Sequence, residues 1–196
     1  MILGYRHSPL VGTFNCWADM DDTRNVLNEF KGLDHDEIVK RLDSRGVELE
    51  IAIENTLRDF NMGTIVRNAN AFGVRTVHVI GKKQWNKRGA MATDKYLNVH
   101  YHEIIADFAL VMKKEDKLIV AIENNVESTP LGQAALPKNT VMIFGQEGPG
   151  ISAELLSIAD KTVYIEQLGS TRSVNVGVAS GIAMYAWLLK NKLTQQ

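Results

Sequence analysis

Three stretches of this chain combine side chains and glycines in ways that could bind a polar or anionic ligand. Ser173-Val174-Asn175 stands where a polar Gly/Ser loop meets a long apolar run, so two polar side chains lie beside the free backbone N–H groups of a helix start. The same residues would also serve as plain helix caps, a role for which Ser and Asn are favoured. Gly145-Gln146-Glu147-Gly148-Pro149-Gly150 follows an apolar run at 140–144 and precedes a helix that Ser152 can cap. Its glycines allow close backbone approach to a flat ligand. They do not fall as G-x-G-x-x-G, which argues against a nicotinamide or flavin site. Glu147 either anchors this loop by accepting backbone N–H groups or touches the ligand. Arg67 follows Gly63 by four residues, one helical turn. A glycine inside a helix costs about 1 kcal/mol against alanine, so something needs the space: a close helix contact or a large ligand beside Arg67. The apolar neighbours Ile65, Val66 and Ala69 predict a packed helix, in which a buried guanidinium needs an anion or several acceptors.

A fourth stretch, residues 81–98, carries Lys82, Lys83, Lys87, Arg88 and Lys95 against Asp94, with Trp85 and Tyr96 among them. It reads either as a solvated loop or as a nucleic-acid surface, with charges for phosphates and rings for bases. A connection of this length is more often functional than decorative.

The elements that position these residues alternate. Helices are expected at 34–42, capped by Asp34, at 61–72, capped by Asn61, at 106–114, at 130–135, at 152–160 and at 174–192. Strands are expected at 49–54, 74–80, 100–104, 117–123, 140–144 and 161–165. This alternation predicts an α/β fold with a parallel sheet covered on both faces. Ligands in such sheets bind beyond the carboxyl ends of the strands, where the loops 55–63, 145–152 and 166–175 collect. Residues 1–33 keep no period; Tyr5, Phe14, Trp17 and Phe30 predict a docked arm, and His7 a surface imidazole.

The 196 residues are 45% hydrophobic, enough for a core, and the net charge of −1 confines any polyanion site to a local patch. The single cysteine, Cys16, excludes an internal disulfide framework. The N-terminus lacks a signal-peptide pattern, and no apolar run reaches the ~18 residues of a membrane span. A cytoplasmic protein without a membrane partner is expected.

The segments Asn61-Met62-Gly63-Thr64-Ile65-Val66-Arg67-Asn68-Ala69, Phe144 to Ser152, and Ile165 to Ala179 occur in one order at the ends of successive elements. Together they resemble the SpoU, or TrmH-type, branch of the SPOUT methyltransferases, over residues 50–192. The resemblance implies a parallel α/β sheet whose C-terminal part is tied in a deep trefoil knot, an exception to the rule against threading. It divides the chain into an N-terminal extension, 1–48, and a methyltransferase domain, 49–196. It implies a homodimer, S-adenosylmethionine as methyl donor, no metal, and an RNA substrate methylated at the ribose 2′-hydroxyl. Either tRNA or rRNA would serve, and the small extension favours tRNA.

Carried over by motif, the cofactor residues are Ile122 and Glu123, then Phe144, Gly145, Gln146, Gly148 and Gly150, then Ile165, Gln167 and Val174. Arg67, Ser173 and Asn175 form the catalytic group, with Asn61 supporting them and Glu147 bracing the second motif. Lys82, Lys83, Lys87 and Arg88 are the candidate RNA contacts. The third motif departs from the usual Ile-Pro-Met, reading Ile165-Glu166-Gln167; the site survives if those positions act through backbone, and Glu166 could face the sulfonium. Gly177 replaces a small hydroxyl residue, a change expected to be harmless. Two other readings share the fold: a non-catalytic RNA-binding or assembly factor, and a SPOUT enzyme that methylates a base.

Overall fold

A computed structural model of the protein describes residues 22–56, 61–124 and 127–193. The expectations placed on Tyr5, His7, Phe14, Cys16 and Trp17 lie outside the described residues. The first helix, α1 (His35–Arg45), begins where predicted: the Asp34 carboxylate accepts the Glu37 N–H at 2.8 Å, and Asp36 and Glu37 complement the helix dipole. The remaining order is β1 (Glu50–Asn55), α2 (Asn61–Ala71), β2 (Thr76–Gly81), β3 (Asn98–His102), α3 (Ile105–Lys114), β4 (Leu118–Ile122), β5 (Thr129–Pro130), β6 (Thr140–Phe144), α4 (Ala153–Ser157), β7 (Lys161–Tyr164) and α5 (Val176–Leu188).

The seven strands form one sheet in the order β3-β2-β1-β6-β4-β7-β5, and every described pairing is parallel. Period-two alternation divides each central strand between two cores. Ile51, Ile53, Met142 and Phe144 pack beneath α2 and α5, together with Met62, Ile65, Val66, Met184 and Trp187. Ala52, Val141 and Ile143 face the other way, towards Phe108 and Met112 of α3 and Leu155 of α4. Both faces are covered, so β4 and residues 141–144 of β6 are apolar without a break.

Local differences from the expectations have physical causes. Residues 130–135 do not make a helix: Thr129 and Pro130 pair with Val163 and Tyr164 at the sheet edge, where a residue lacking an N–H is tolerated. The third strand sits two residues earlier than expected, because Asn98 to His102 align with Thr76 to Ile80. The last helix leaves α geometry at Leu189 and finishes as a wider π turn to Leu193.

The final helix reaches back across the sheet. It starts beyond β7 yet packs on α2, which covers the β1 side. Small residues permit the approach. A Cβ on Gly177 would lie 2.8 Å from Thr64 Cγ2, and Asn68 Nδ2 donates to the Gly177 carbonyl at 2.8 Å and to Ser180 Oγ at 3.0 Å. Gly177 is therefore coupled to Thr64, and a hydroxyl residue there would need Thr64 to shift.

Residues 22–48 dock on the turn at 93–96. Phe30, Ile38 and Tyr96 form a small core, His35 stacks on Tyr96 with centroids 5.5 Å apart, and Arg75 Nε donates to Asp43 at 2.8 Å. No helix among the described residues is long and apolar enough to cross a membrane.

Candidate active site

The carboxyl ends of β4, β6 and β7 and the start of α5 enclose a cleft of about 200 Å³. That is where a parallel sheet leaves room for a ligand. Ile122, Glu123 and Asn124 line it from β4, and Gly145, Gln146, Glu147, Gly148 and Gly150 from β6. Ile165 and Gln167 follow from β7, with Ser173, Val174 and Asn175 at the approach to α5. Phe144 does not line the cleft; it is fully buried beneath it.

The β6 loop is closed by its own backbone. Gln146 N–H donates to the Gly150 carbonyl and Gly150 N–H to the Gln146 carbonyl, each at 3.0 Å. A Cβ on Gly145 would fall 2.2 Å from the Gly150 carbonyl carbon, so only glycine allows this closure. Gly148 and Gly150 have φ of 96° and 74°, the left-handed region that L side chains avoid. Two carboxylates hold the exit: Glu123 Oε2 accepts from Ile151 N–H at 3.0 Å and Glu54 Oε2 from Ser152 N–H at 2.8 Å. Glu123 is thus a brace as well as a lining residue. Glu54 and Thr56, which bonds the Gln146 side chain, escaped the sequence reading. The signal for Glu54 was an acid directly after the apolar run Ile51-Ala52-Ile53, at the carboxyl end of a strand.

One cluster joins all three motifs. Asn61 is the first residue of α2, and its Nδ2 donates to Glu147 Oε2 at 2.6 Å. Asn175 Nδ2 donates to Asn61 Oδ1 at 2.9 Å and to Glu147 Oε1 at 3.4 Å. The other end of the Asn175 amide caps α5, with Oδ1 accepting from Gly177 N–H at 2.9 Å and Val178 N–H at 3.3 Å. Capping and site-building are performed by one side chain. The loop after β7 is tied in separately by Asn124 Nδ2, which donates to the Arg172 carbonyl at 2.8 Å. Gln167 Oε1 in the cleft wall is buried and has no hydrogen-bond partner among the described residues.

The family model of the SpoU rRNA methylases matches residues 48–185, a span that contains every described strand and the whole cleft. The chain belongs to the SpoU rRNA methylase family. It is 28% identical over 151 residues to the tRNA (guanosine(18)-2′-O)-methyltransferase of Escherichia coli K12; the match covers 76% of this chain and 66% of that protein. This SpoU-family chain thus spans just under two thirds of that relative. A crystal structure of the Aquifex aeolicus TrmH/SpoU tRNA modifying enzyme superposes with a TM-score of 0.71 at 28% identity, covering 82% of this chain and 86% of that one. An AdoMet-bound rRNA methyltransferase of Sinorhizobium meliloti shares the fold, with a TM-score of 0.65 at 23% identity, covering 76% and 60%.

Within this SpoU-family fold, two expectations need correction, and one is narrowed. Arg67 is exposed, not packed, although Ile65, Val66 and Ala69 around it are buried. Helical periodicity explains the difference: Asn61, Thr64 and Asn68 face α5 and the cleft, while Arg67 lies on a neighbouring face and lines a different cavity. The space at Gly63 serves a close helix contact, with the short 3-10 helix at Arg88–Ala90, and not a ligand. A Cβ there would lie 2.7 Å from Ala90 N and 2.8 Å from Gly89 Cα, so the 81–98 connection packs its backbone onto α2. Glu166 does not line the cleft; its Oε1 accepts from Gly132 N–H at 3.3 Å.

The basic connection divides as well. Lys82, Lys83, Lys87 and Arg88 are exposed, but Tyr96 is buried in the small core and Trp85 packs against the main one. Two rings meet these cations: Tyr101 on the edge strand β3 is 40% exposed, with Lys83 Nζ 5.3 Å from its centroid, and Lys87 Nζ lies 5.5 Å from that of the partly buried Trp85. Lys87 also pairs with Asp94 at 2.7 Å, a hydrogen bond that raises its pKa above the usual lysine value.

Proposed function

We propose that this protein is an S-adenosylmethionine-dependent RNA 2′-O-ribose methyltransferase acting on tRNA. The observation that carries the reading is the Asn61–Glu147–Asn175 cluster, which brings the three family motifs to one edge of the cleft. The tRNA activities named for the E. coli and A. aeolicus proteins support the substrate class.

The cleft suits a nucleoside with a charged tail. Gly145, Gly148 and Gly150 leave backbone groups open to a flat ring, and the orphaned Gln167 oxygen is an acceptor that an exocyclic amine would satisfy. S-adenosylmethionine supplies an electrophilic methyl on a sulfonium. Asn175, fixed at both ends of its amide, and Ser173, exposed at the lip, orient the incoming ribose for in-line attack. A guanidinium is too weak a base to take the ribose proton, so Arg67 acts through charge: it pairs with a substrate phosphate and eases alkoxide formation.

A homodimer reconciles the position of Arg67 with that role. On α5, Val178, Ile182 and Tyr185 are 53%, 41% and 47% exposed and fall on one helical face, which a second copy would cover. Arg67 of one subunit would then serve the cleft of the other. The return of α5 from beyond β7 to α2 is the path a trefoil knot requires, and we assign that topology to residues 140–188.

The deciding experiment is incubation of purified protein with unmodified tRNA and labelled S-adenosylmethionine, followed by nucleoside analysis. A 2′-O-methylated nucleoside is expected. A base-methylated product, or no transfer to any tRNA or rRNA, would sink the assignment.

A further inference from the structure

A second cavity, of about 550 Å³, shares no lining residue with the cleft. Its walls come from the extension before β1 and from the end of α2. Phe30, Ile38 and Leu42 supply apolar surface, and Arg67, Asn70 and Arg75 supply polar groups. Its charges are mostly balanced. Arg75 pairs with Asp43 at 2.8 Å, and Arg45 with Glu29 at 3.0 Å. Arg67 makes no ion pair among the described residues, which leaves one cation for an anionic ligand. Asn70 stands three residues on, on the same face of α2. Its Oδ1 is buried and lacks a donor among the described residues. A buried acceptor without a partner is destabilising, and native proteins seldom leave one unless something else satisfies it.

We propose that this cavity binds a second nucleotide of the RNA substrate, its phosphate on Arg67 and an exocyclic amine on Asn70. The inference rests on the methyltransferase reading for the source of the nucleotide, and on the cavity for its chemistry. An amine-bearing base supplies the missing donor, the apolar wall takes the ring, and the unpaired guanidinium takes the phosphate. The extension thereby acquires a function, since residues 22–48 build half of a substrate site that the methyltransferase fold alone would lack.

Two measurements test it on the full chain. In the first, cytidine 5′-monophosphate and inorganic phosphate are titrated separately into isotope-labelled protein and followed by NMR. The nucleotide should shift both the Asn70 side-chain amide and the Arg67 Nε resonance, and phosphate only the latter. An unmoved Asn70 amide overturns the proposal, whatever the enzyme's activity. In the second, Asn70→Leu removes the acceptor at similar volume. The expected split is a KM for tRNA about three- to tenfold higher, the worth of one neutral hydrogen bond, with little change in kcat or in cofactor affinity. Because the orphan oxygen is gone, the variant should melt no lower than the parent. An unchanged KM, or a KM that rises only with a lowered melting temperature, overturns it. Absence of methyl transfer by the parent protein would defeat the functional reading instead, leaving the titration to decide the cavity.

Discussion

Asn175 and Arg67 are both polar members of their motifs, yet their surroundings give them different work. Asn175 is held at 2.9 Å by both Asn61 and the Gly177 N–H, so it is pre-organised. Arg67 is exposed, and in the proposed mechanism it acts only on bound RNA. Arg67→Ala should therefore lower the rate of methyl transfer by about 10²–10³-fold, the usual loss for one electrostatic stabiliser, while calorimetry finds cofactor affinity unchanged. Equal loss of both would place Arg67 at the cofactor. A different residue-scale effect arises away from the cleft. His78 bonds Glu50 through Nε2 and His102 through Nδ1, each at 2.9 Å, and Lys117 also pairs with Glu50. Burial, with help from His78 and His100, holds the His102 pKa below its ordinary 6.5. The unfolded chain therefore takes up a proton near pH 6.5 that the folded chain refuses. Stability is full above that pH and falls as pH drops below it. Glu50 adds a second loss below its ordinary 4.5: burial opposes its ionisation, but the hydrogen bonds from His78 and Lys117 outweigh burial and keep its pKa low. Urea melts from about pH 7 to about pH 5 should show the first decline, and His102→Gln should flatten it.

At the scale of elements, α2 and the 81–98 connection form one unit. Gly63 illustrates how two effects compete. Alanine in a helix interior is favoured over glycine by about 1 kcal/mol. Against that, a Cβ at Gly63 would meet backbone atoms of Gly89 and Ala90 inside 3 Å, and overpacking costs about 1–3 kcal/mol. Gly63→Ala should thus be net destabilising in a chemical melt; a gain in stability would mean that the connection does not pack there. The sequence made the glycine conspicuous but could not name what approached it, because the partner lies in a segment without hydrophobic period. The same reason hid Tyr101. Apart from residues 130–135, strand and helix types were legible from apolar periodicity, and the loops at 145–152 and 166–175 from their glycines and caps. What could not be read was which face of α2 each polar residue occupies relative to α5, since that depends on a helix arriving from more than a hundred residues away. The docked connection also ranks its cations. Replacing Lys82, Lys83 and Arg88 with Gln should weaken RNA binding and reduce the salt slope by about 0.7–0.9 for each phosphate that is no longer neutralised. Lys87→Gln alone should do least, because Asp94 already balances it at 2.7 Å.

At the scale of the whole molecule, the sheet order puts the cleft in the middle of the molecule and α5 on its surface. An isolated subunit leaves that helix with an unusual composition: it is apolar nearly all round, which suits a helix enclosed on every side. One side is closed by α2, through Gly177, Ser180 and Met184. The other, with Val178, Ile182 and Tyr185, is open. A stable interface buries about 800 Å² per partner, which this stripe could seed together with Phe72, whose ring centroid lies 6.1 Å from that of Tyr185. For the proposed dimer, Ile182→Asp combined with Tyr185→Asp should place charges in the seam and give a monomer in sedimentation velocity. The cleft is built within one chain by Glu54, Glu123, Glu147 and Asn175, so the monomer should still bind S-adenosylmethionine with near-parental affinity. It should not methylate RNA, because the Arg67 that completes each cleft would have left with the partner. A monomer that retains full turnover would show that each subunit supplies its own arginine, and that α2 must then turn toward its own cleft when RNA arrives.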